Sequence, residues 1–299
     1  MRTGSLLPCG GRRDAPRLLN AVINSRICAP VCAALLAACL LNDGIGMAAA
    51  VEIIAHRGAS RDAPENTLAA FQLAWDQGAD GVEGDFYLTA DGQIVCIHDP
   101  STARTGDQDL PVASSTLAAL KAVDVGAKKG AKFRGERMPT LAEVLALVPP
   151  GKKLFVEIKC GPEIVAPLAE ALARAGLADE QVAIISFSAA VIETARKRLP
   201  RHRAYWLTDF KRDGAGWRPS FEEMIGTLRR IDATGLDFGA GSRALAPPDA
   251  RRLREAGFEL HCWTVDEAAL ARYCRQLGVR SITTNRPAEA RRWLLEAKP

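Results

Sequence analysis

The chain has 299 residues, of which 48% are hydrophobic and 25% are charged. This composition provides enough apolar residues for a globular core and excludes an intrinsically disordered chain, and the length suits one large domain with a short leader. The formal net charge of +4 is small, and the basic residues are dispersed over helical segments. We therefore expect no nucleic-acid partner.

The first 50 residues have the order of a secretory signal: arginines, an apolar run over residues 27–41, and small residues ending at Ala50. The run is shorter than the roughly 20 apolar residues that a membrane-spanning helix needs. We therefore predict a leader over residues 1–50, cleaved near Ala50, and an exported periplasmic or secreted protein. Leu36-Ala37-Ala38-Cys39 also resembles a lipobox, so membrane attachment by lipidation at Cys39 is an alternative. An uncleaved membrane anchor and a cytoplasmic enzyme with a misassigned start are the others.

From residue 51 onward, short apolar runs alternate with longer amphipathic segments. Strands are predicted over residues 52–55, 81–88, 94–98, 153–158, 182–186, 203–206, 233–236, 259–264 and 281–283. Helices are predicted over residues 67–77, 141–147, 164–175, 189–199, 221–229, 248–256, 267–276 and 287–296. This alternation predicts an α/β fold of the TIM (β/α)8 type over residues 51–299, with a doubly wound open sheet as the alternative.

Nine strands are one too many for an eight-stranded barrel, and the turn Asp91-Gly92 indicates which strand is the extra one. An Asp-Gly pair between apolar runs is a strong signal for a two-residue hairpin, so residues 94–98 are predicted to return antiparallel to the preceding strand. Counting pairs back from this turn sets His98 opposite Asp85, on the same face. The glycine-rich stretch 101–138 that follows lacks periodicity and is predicted to be a small insertion at the active-site end.

Acidic residues on two predicted strands indicate a metal site. Glu83 and Asp85 are two positions apart, so their side chains share a face of the strand. Two such carboxylates repel each other unless a cation lies between them, and oxygen ligands suit Mg²⁺ or Ca²⁺. Glu157 is the best third ligand, because an ionised residue in an apolar strand needs a partner. The alternative is a structural ion pair between Glu157 and Lys159, which share a face.

His56-Arg57-Gly58 follows the first strand and so lies at the carboxyl-terminal rim, where barrel enzymes place catalysis. His56 and His98 are predicted to face one site, where two imidazoles act as acid and base in turn. The planar guanidinium of Arg57 suits phosphate oxygens. Trp263, near a later strand end, either stacks on a ligand or packs in the core.

Together with Pro64-Glu65-Asn66-Thr67 and Thr284-Asn285-Arg286-Pro287, these motifs resemble the glycerophosphodiester phosphodiesterase family from about residue 53 to residue 287. The resemblance implies a TIM barrel that hydrolyses glycerophosphodiesters to sn-glycerol 3-phosphate and an alcohol. The site residues it implies are Glu83, Asp85 and Glu157 for one divalent cation, His56 and His98 for acid-base catalysis, Arg57 and Lys159 for phosphate, and Trp263 for the glycerol pocket. The sequence departs from the family pattern at Gly84, where an aliphatic residue is common, and at the bulky Phe86-Tyr87.

Two other functions fit the same scaffold. A phospholipase C-like or D-like enzyme acting on phospholipid or lysophospholipid would need an apolar face toward the membrane, and the sequence does not indicate one. A non-catalytic phosphodiester-binding protein would not need both histidines together with the three acidic residues. The alcohol half of the substrate, the metal and the individual roles of the histidines stay open.

Overall fold

The structure is a computed structural model that describes residues 50–214 and 216–296. The predicted leader lies outside the described residues apart from Ala50, and so does the lipobox at Cys39. Within the described part of the chain, no helix combines the length and the apolar character that crossing a membrane requires.

The described part of the chain contains eleven strands, and eight of them run parallel and form a closed barrel. In chain order the strands are β1 Glu52–Ala55, β2 Gly81–Leu88, β3 Ile94–Cys96, β4 Lys153–Ile158, β5 Val182–Ser186, β6 Arg203–Thr208, β7 Lys211–Asp213, β8 Gly216–Arg218, β9 Gly235–Gly239, β10 Glu259–Trp263 and β11 Ser281–Thr284. The barrel order is β1-β11-β10-β9-β6-β5-β4-β2, and pairing of β2 with β1 closes it. The predicted TIM barrel is confirmed, and the open sheet is excluded because both edges are paired.

Helices cover the outside of the barrel. They are α1 Leu68–Asp76, α2 Leu117–Ala122, α3 Leu141–Leu147, α4 Val165–Ala175, α5 Ala189–Arg198, α6 Phe221–Arg230, α7 Pro247–Glu255, α8 Ala268–Leu277 and α9 Pro287–Glu296. Hydroxyl side chains cap several of them: Thr67, Thr140 and Ser220 each accept a hydrogen bond from a backbone N–H in the first turn. Such caps satisfy donors that have no partner within the helix, and they fix where each helix begins.

Both faces of the barrel strands are buried, which explains why the strands read as nearly continuous apolar runs. Outward side chains such as Val156 and Phe86 pack under the helices. Inward side chains such as Phe155 and Tyr205 fill the interior. Gly84 faces outward, where an added Cβ would lie 3.0 Å from the ring of Phe71. The departure from the family pattern at Gly84 is therefore matched by the neighbouring bulky rings.

The hairpin after β2 has a different register from the predicted one. Leu88 pairs with Ile94 and Phe86 pairs with Cys96, which is one residue away from the predicted pairing. The cause is a three-residue loop ending in Gly92 at φ 74°, a left-handed position typical of bulged hairpins. Ile97, not His98, therefore lies opposite Asp85, and its N–H donates to the Asp85 carbonyl at 2.8 Å. The predicted pairing of His98 with Asp85 is wrong.

Residues 101–138 contain α2 and two short 3₁₀ helices, and their apolar side chains form a small core together with Val95 and Ile97. Two contacts attach this segment to the loop that follows β1. Arg104 pairs with Glu65 at 2.7 Å, and the Lys129 ammonium donates to the Ser60 carbonyl at 2.6 Å. The segment is therefore held at the carboxyl-terminal end of the barrel.

Two features of the sheet differ from the sequence prediction. The short hairpin of β7 and β8 was not predicted, and β9 begins and ends later than residues 233–236. Gly235, which the predicted strand included, and Gly239, which it did not, are the first and last residues of β9. An added Cβ on Gly235 would come within 2.0 Å of the Glu259 carbonyl oxygen, so this glycine permits the close approach of β10.

We expect Gly58→Ala to lower the free energy of unfolding by about 2–4 kcal/mol, because it adds backbone strain and overpacking together. Gly58 has φ 79°, and an added Cβ would lie 2.6 Å from the Ala70 carbonyl carbon. Gly78 is a matched control, with φ 80° and no neighbour within 4 Å of an added Cβ. Gly78→Ala should cost only about 1 kcal/mol. Equal losses for the two variants in chemical denaturation would contradict the proposed clash.

Candidate active site

A cavity of about 260 Å³ opens at the carboxyl-terminal end of the barrel. Seven of the eight residues singled out in the sequence line it: His56, Arg57, Glu83, His98, Glu157, Lys159 and Trp263. The eighth, Asp85, is fully buried and contacts Arg57 and Lys159. The barrel thus brings together residues that are more than 200 positions apart in the chain.

The three predicted metal ligands converge. Glu83, Asp85 and Glu157 each offer an oxygen, and these oxygens all lie within 4.8 Å of one another. One oxygen of Glu83 and one of Asp85 are buried without a hydrogen-bond partner. Unpartnered buried carboxylate oxygens are costly, and a hard cation is the partner that suits them. The cluster therefore fits a divalent ion.

Burial and mutual repulsion raise the pKa values of the two glutamates of this cluster. Burial, reinforced by the charges of Asp85 and Glu157, raises the pKa of Glu83 well above its usual range. Burial and the Asp85 charge raise the pKa of Glu157 to about 7, although Lys159 opposes the shift. Such shifts are typical of functional sites in which acids are held together against their repulsion.

Asn66 orients Asp85 by two hydrogen bonds. The side-chain N–H of Asn66 donates to Asp85 Oδ2 at 2.8 Å, and the backbone N–H of Asp85 donates to Asn66 Oδ1 at 3.1 Å. The next residue, Thr67, caps α1. The motif Pro64-Glu65-Asn66-Thr67 thus combines helix capping with orientation of a site carboxylate.

Both predicted phosphate-binding cations are paired with carboxylates. Lys159 lies 2.7 Å from Glu157 and 3.4 Å from Asp85. Arg57 lies 3.2 Å from Asp85 and 2.9 Å from Glu65, and its backbone N–H donates to Glu83 at 2.9 Å. The ion pair between Glu157 and Lys159 therefore exists, but within a larger cluster rather than as an isolated structural pair.

His56 is held in one tautomer. Asp266 accepts from the Asn285 side-chain amide at 2.5 Å, so the Asn285 oxygen faces His56 Nδ1 at 2.8 Å. Because an amide oxygen only accepts, His56 Nδ1 carries the proton and Nε2 keeps its lone pair. Burial and the nearby Arg57 charge lower the pKa of His56 to about 4, which keeps the imidazole neutral.

His98 follows β3 and reaches the cavity because the chain turns after the strand ends at Cys96. Its Nδ1 lies 2.6 Å from Asp99 Oδ1, and Asp99 in turn accepts from Arg104 at 2.6 Å. A carboxylate partner at Nδ1 fixes the ring and leaves Nε2 for proton transfer. Although the predicted register is wrong, His98 lines the same cavity as His56.

The part of the cavity wall that runs from β5, next to Glu157, round to β10 is largely apolar. Ile185, Phe187, Leu207 and Trp263 line it, and the rings of Phe187 and Trp263 pack edge to face at 5.6 Å. Asp237 also lies on this wall and is 1% exposed. Burial, together with the charge of Glu157, raises the pKa of Asp237 well above its usual range.

Sequence reasoning missed Asp237, Phe187 and the role of Asn285. Asp237 had the same signal as Glu157, an acidic residue in an apolar strand, but the predicted strand stopped one residue before it. His261 lies outside the cavity, where its ring packs 4.2 Å from the Tyr205 ring and its Nδ1 lies 2.7 Å from the Ser281 hydroxyl. Phe187 and Asn285 have no local signal, because their importance arises from distant partners.

Comparisons with known proteins agree with this geometry. A sequence profile described as the glycerophosphoryl diester phosphodiesterase family matches residues 56–289. A glycerophosphodiester phosphodiesterase of Caldanaerobacter subterraneus subsp. tengcongensis is 35% identical over 242 residues, which are 79% of this chain and 94% of that protein. A probable glycerophosphodiester phosphodiesterase 1 of Mycobacterium tuberculosis is 31% identical over 264 residues, 82% of this chain and 93% of that protein.

A solved structure with the same fold is a phosphodiesterase of Oleispira antarctica in complex with its product, sn-glycerol-3-phosphate. Its TM-score is 0.74 at 26% identity, covering 83% of this chain and 98% of that one. The named glycerophosphodiester phosphodiesterases at 31% and 35% identity over most of the chain, together with the shared TIM barrel, identify the protein as a phosphoric diester hydrolase. The chain belongs to the glycerophosphoryl diester phosphodiesterase family.

The raised pKa of Glu157 leads to a prediction about pH. In the metal-free protein the folded state binds more protons at Glu157 than the unfolded state does between its ordinary pKa of 4.5 and about 7. The contribution of Glu157 to metal-free stability therefore falls as pH rises through this window, and a cation has to displace the proton. The increase in Tm produced by Mg²⁺ or Ca²⁺ should thus grow from pH 5 to pH 7.5, by the equivalent of about 2 kcal/mol.

The comparison with and without metal at each pH matters, because the lowered pKa of His56 makes its own contribution rise between about 4 and 6.5. Glu157→Gln serves as the control and should flatten most of the pH dependence of the metal effect. A metal-induced shift in Tm of the same size at both pH values in the unmodified protein would contradict the prediction.

Proposed function

We propose that the protein hydrolyses glycerophosphodiesters to sn-glycerol 3-phosphate and an alcohol, with one divalent cation bound by Glu83, Asp85 and Glu157. One observation carries the proposal. Two imidazoles, each with Nδ1 held by an acceptor, line the same cavity as a carboxylate cluster that fits a cation. The product sn-glycerol-3-phosphate in the Oleispira antarctica structure supports the same substrate class.

The formal charges of the site suit a phosphodiester. Three carboxylates and the two cations Arg57 and Lys159 together carry a charge of −1, which a divalent ion changes to +1. This charge attracts the single negative charge of a phosphodiester. When bound, Mg²⁺ or Ca²⁺ supplies Lewis-acid polarisation of the phosphoryl group. Arg57 and Lys159, which border the cluster, bind and orient the phosphate oxygens.

The two histidines move the protons of the reaction. One accepts a proton from the nucleophile, either a water or the 2-hydroxyl of glycerol, and the other donates a proton to the leaving alkoxide. If the 2-hydroxyl attacks, a water then opens the resulting cyclic phosphodiester, with the two histidines in exchanged roles, to give sn-glycerol 3-phosphate. A neutral His56 with a free Nε2 is ready to accept a proton. Trp263 and Phe187 border the space that the carbon skeleton of glycerol would fill.

The location of the protein is also a proposal. The order of basic, apolar and small residues over positions 1–50 supports export with cleavage near Ala50. The substrate would then be a small phosphodiester outside the cytoplasm, and membrane attachment would arise only through Cys39 or an uncleaved leader.

We expect His56→Ala and His98→Ala to lower kcat for release of glycerol 3-phosphate by about 100-fold to 10,000-fold, because each removes a proton-transfer group. The assay measures glycerol 3-phosphate release from glycerophosphocholine, with and without EDTA, and chelation should abolish it. His202→Ala is a matched control, since His202 borders a separate pocket beside Leu199 and Asp179. It should keep wild-type turnover.

Near-wild-type turnover of either site variant, or full activity after exhaustive chelation, would refute this mechanism. Release of the alcohol from lysophosphatidylcholine but not from glycerophosphocholine would instead favour a phospholipase. Tight binding of glycerophosphocholine without any turnover would favour the binding protein.

For export, we expect Edman sequencing of the protein recovered outside the cytoplasm to begin at or just after Ala50, because small residues precede that point. Cys39→Ser should leave the location unchanged. A mature protein that begins at an acylated Cys39, or an intact Met1 on a cytoplasmic protein, would contradict cleavage near Ala50.

A further inference from the structure

Two polar groups on the apolar wall of the cavity have no partner. Asp237 Oδ1 and the indole N–H of Trp263 are both buried and lack hydrogen bonds among the described residues. Both residues line the cavity. Most buried polar groups in native proteins are hydrogen-bonded, so two unpartnered groups in one cavity wall require an explanation. Neither belongs to the acidic cluster, and the proton-transfer steps use neither.

The sheet register places these two groups together. On the neighbouring strands β9 and β10, Asp237 pairs with His261 and Gly239 pairs with Trp263. Asp237 and Trp263 are therefore diagonal neighbours on the inward face, a spacing that large side chains span. Gly239 carries no side chain, and an added Cβ there would lie 3.5 Å from the Trp263 ring. The wall is thus shaped around the indole.

The chemistry of the pair indicates the ligand. The indole N–H is a donor only, whereas a carboxyl oxygen accepts hydrogen bonds. A hydroxyl group donates and accepts at once, so one hydroxyl satisfies both unpartnered groups. Because a hydroxyl can also accept from a protonated carboxyl group, this match does not depend on the charge of Asp237.

The position of Asp237 across the barrel from the acidic cluster indicates which hydroxyl of glycerol would bind to it. Three strands separate β9 from β2 on either side of the ring, so Asp237 lies diametrically opposite Glu83 and Asp85. A phosphate held beside Arg57 and Lys159 leaves the glycerol pointing toward the apolar wall. The terminal hydroxyl is the group of glycerol farthest from the phosphate.

We propose that Asp237 and the indole N–H of Trp263 form a subsite for the terminal hydroxyl of the glycerol group, an inference that rests on the proposed function. The subsite makes Asp237 a specificity-determining residue. Asp237 favours substrates with a free terminal hydroxyl over substrates that lack this group. It also disfavours substrates in which the hydroxyl is acylated, because an ester oxygen has no proton to donate. The enzyme would then distinguish deacylated phosphodiesters from intact lipids at this position.

The test compares glycerophosphocholine with 2-hydroxypropyl phosphocholine, which keeps the 2-hydroxyl but lacks the terminal one. Asp237→Leu should lower kcat/KM for glycerophosphocholine by about 10-fold to 100-fold, the size expected for a lost buried hydrogen bond, and leave the analogue nearly unchanged. Asp237→Asn should recover part of the loss, since its amide oxygen still accepts. Trp263→Phe should show the same substrate dependence.

Thermal stability distinguishes a ligand-binding role of Asp237 from a purely structural one. The Tm of Asp237→Leu should equal or exceed that of the wild type, because the variant removes an unpartnered buried carboxyl group. A parallel loss on both substrates, with a lowered Tm, would overturn the proposal, and so would unchanged kinetics on both. Asp249→Asn, a change at a half-buried position on α7 that does not line the cavity, is the matched control.

Binding measurements separate this inference from the proposed function. Calorimetry compares sn-glycerol 3-phosphate with 1,2-propanediol 1-phosphate, using wild type and Asp237→Asn, and needs no turnover. A wild type that does not cleave glycerophosphocholine would refute the proposed function. A wild type that binds the two phosphates equally would refute the hydroxyl subsite, whatever the turnover.

Discussion

Three carboxylates converge inside a closed barrel, and their repulsion is the constraint on which the rest of the site depends. Glu83, Asp85 and Glu157 are buried, with oxygens within 4.8 Å of one another. Such a cluster is unfavourable unless positive charge and hydrogen-bond donors surround it. Lys159 and Arg57 supply part of that charge, and the oxygens left without partners define the place of a cation. Binding of a cation and stability of the folded state are therefore coupled at this cluster.

The loop after β1 has an unusual backbone because it serves this cluster. Arg57 and Asn66 have φ values of 56° and 58°, in the left-handed region that costs a non-glycine residue about 1 kcal/mol or more. The Arg57 backbone N–H thereby reaches Glu83, and the Asn66 amide holds Asp85. Charged hydrogen bonds of this kind are strong enough to offset the strain. Backbone strain in this loop is thus explained by the carboxylates rather than by the loop itself.

The cavity divides its tasks between two walls. One wall holds the charged groups, with His56 and His98 fixed from behind by Asn285 and Asp99. The other wall is apolar except for Asp237 and the indole N–H of Trp263. The segment 101–138 contributes indirectly, because Arg104 bridges Asp99 and Glu65 and so connects the supports of His98 and Arg57. A phosphodiester carries its negative charge between two organic groups, so the charged wall suits the phosphate and the apolar wall suits one of the two groups attached to it.

The sequence by itself determined most of the strands, most of the bounds of the predicted helices, and the shared face of Glu83 and Asp85, because side-chain direction follows from local periodicity. It also indicated Glu157, since a charge in an apolar strand is a local anomaly. Only the tertiary structure decided the register of the hairpin, which depends on a loop conformation one residue longer than the sequence signal suggested. Closure of the barrel likewise decided that Asn285 bonds to His56 and that Asp237 lines the cavity. Closure brings distant strands to one axis, and no local pattern in a single chain records which distant residues will meet there.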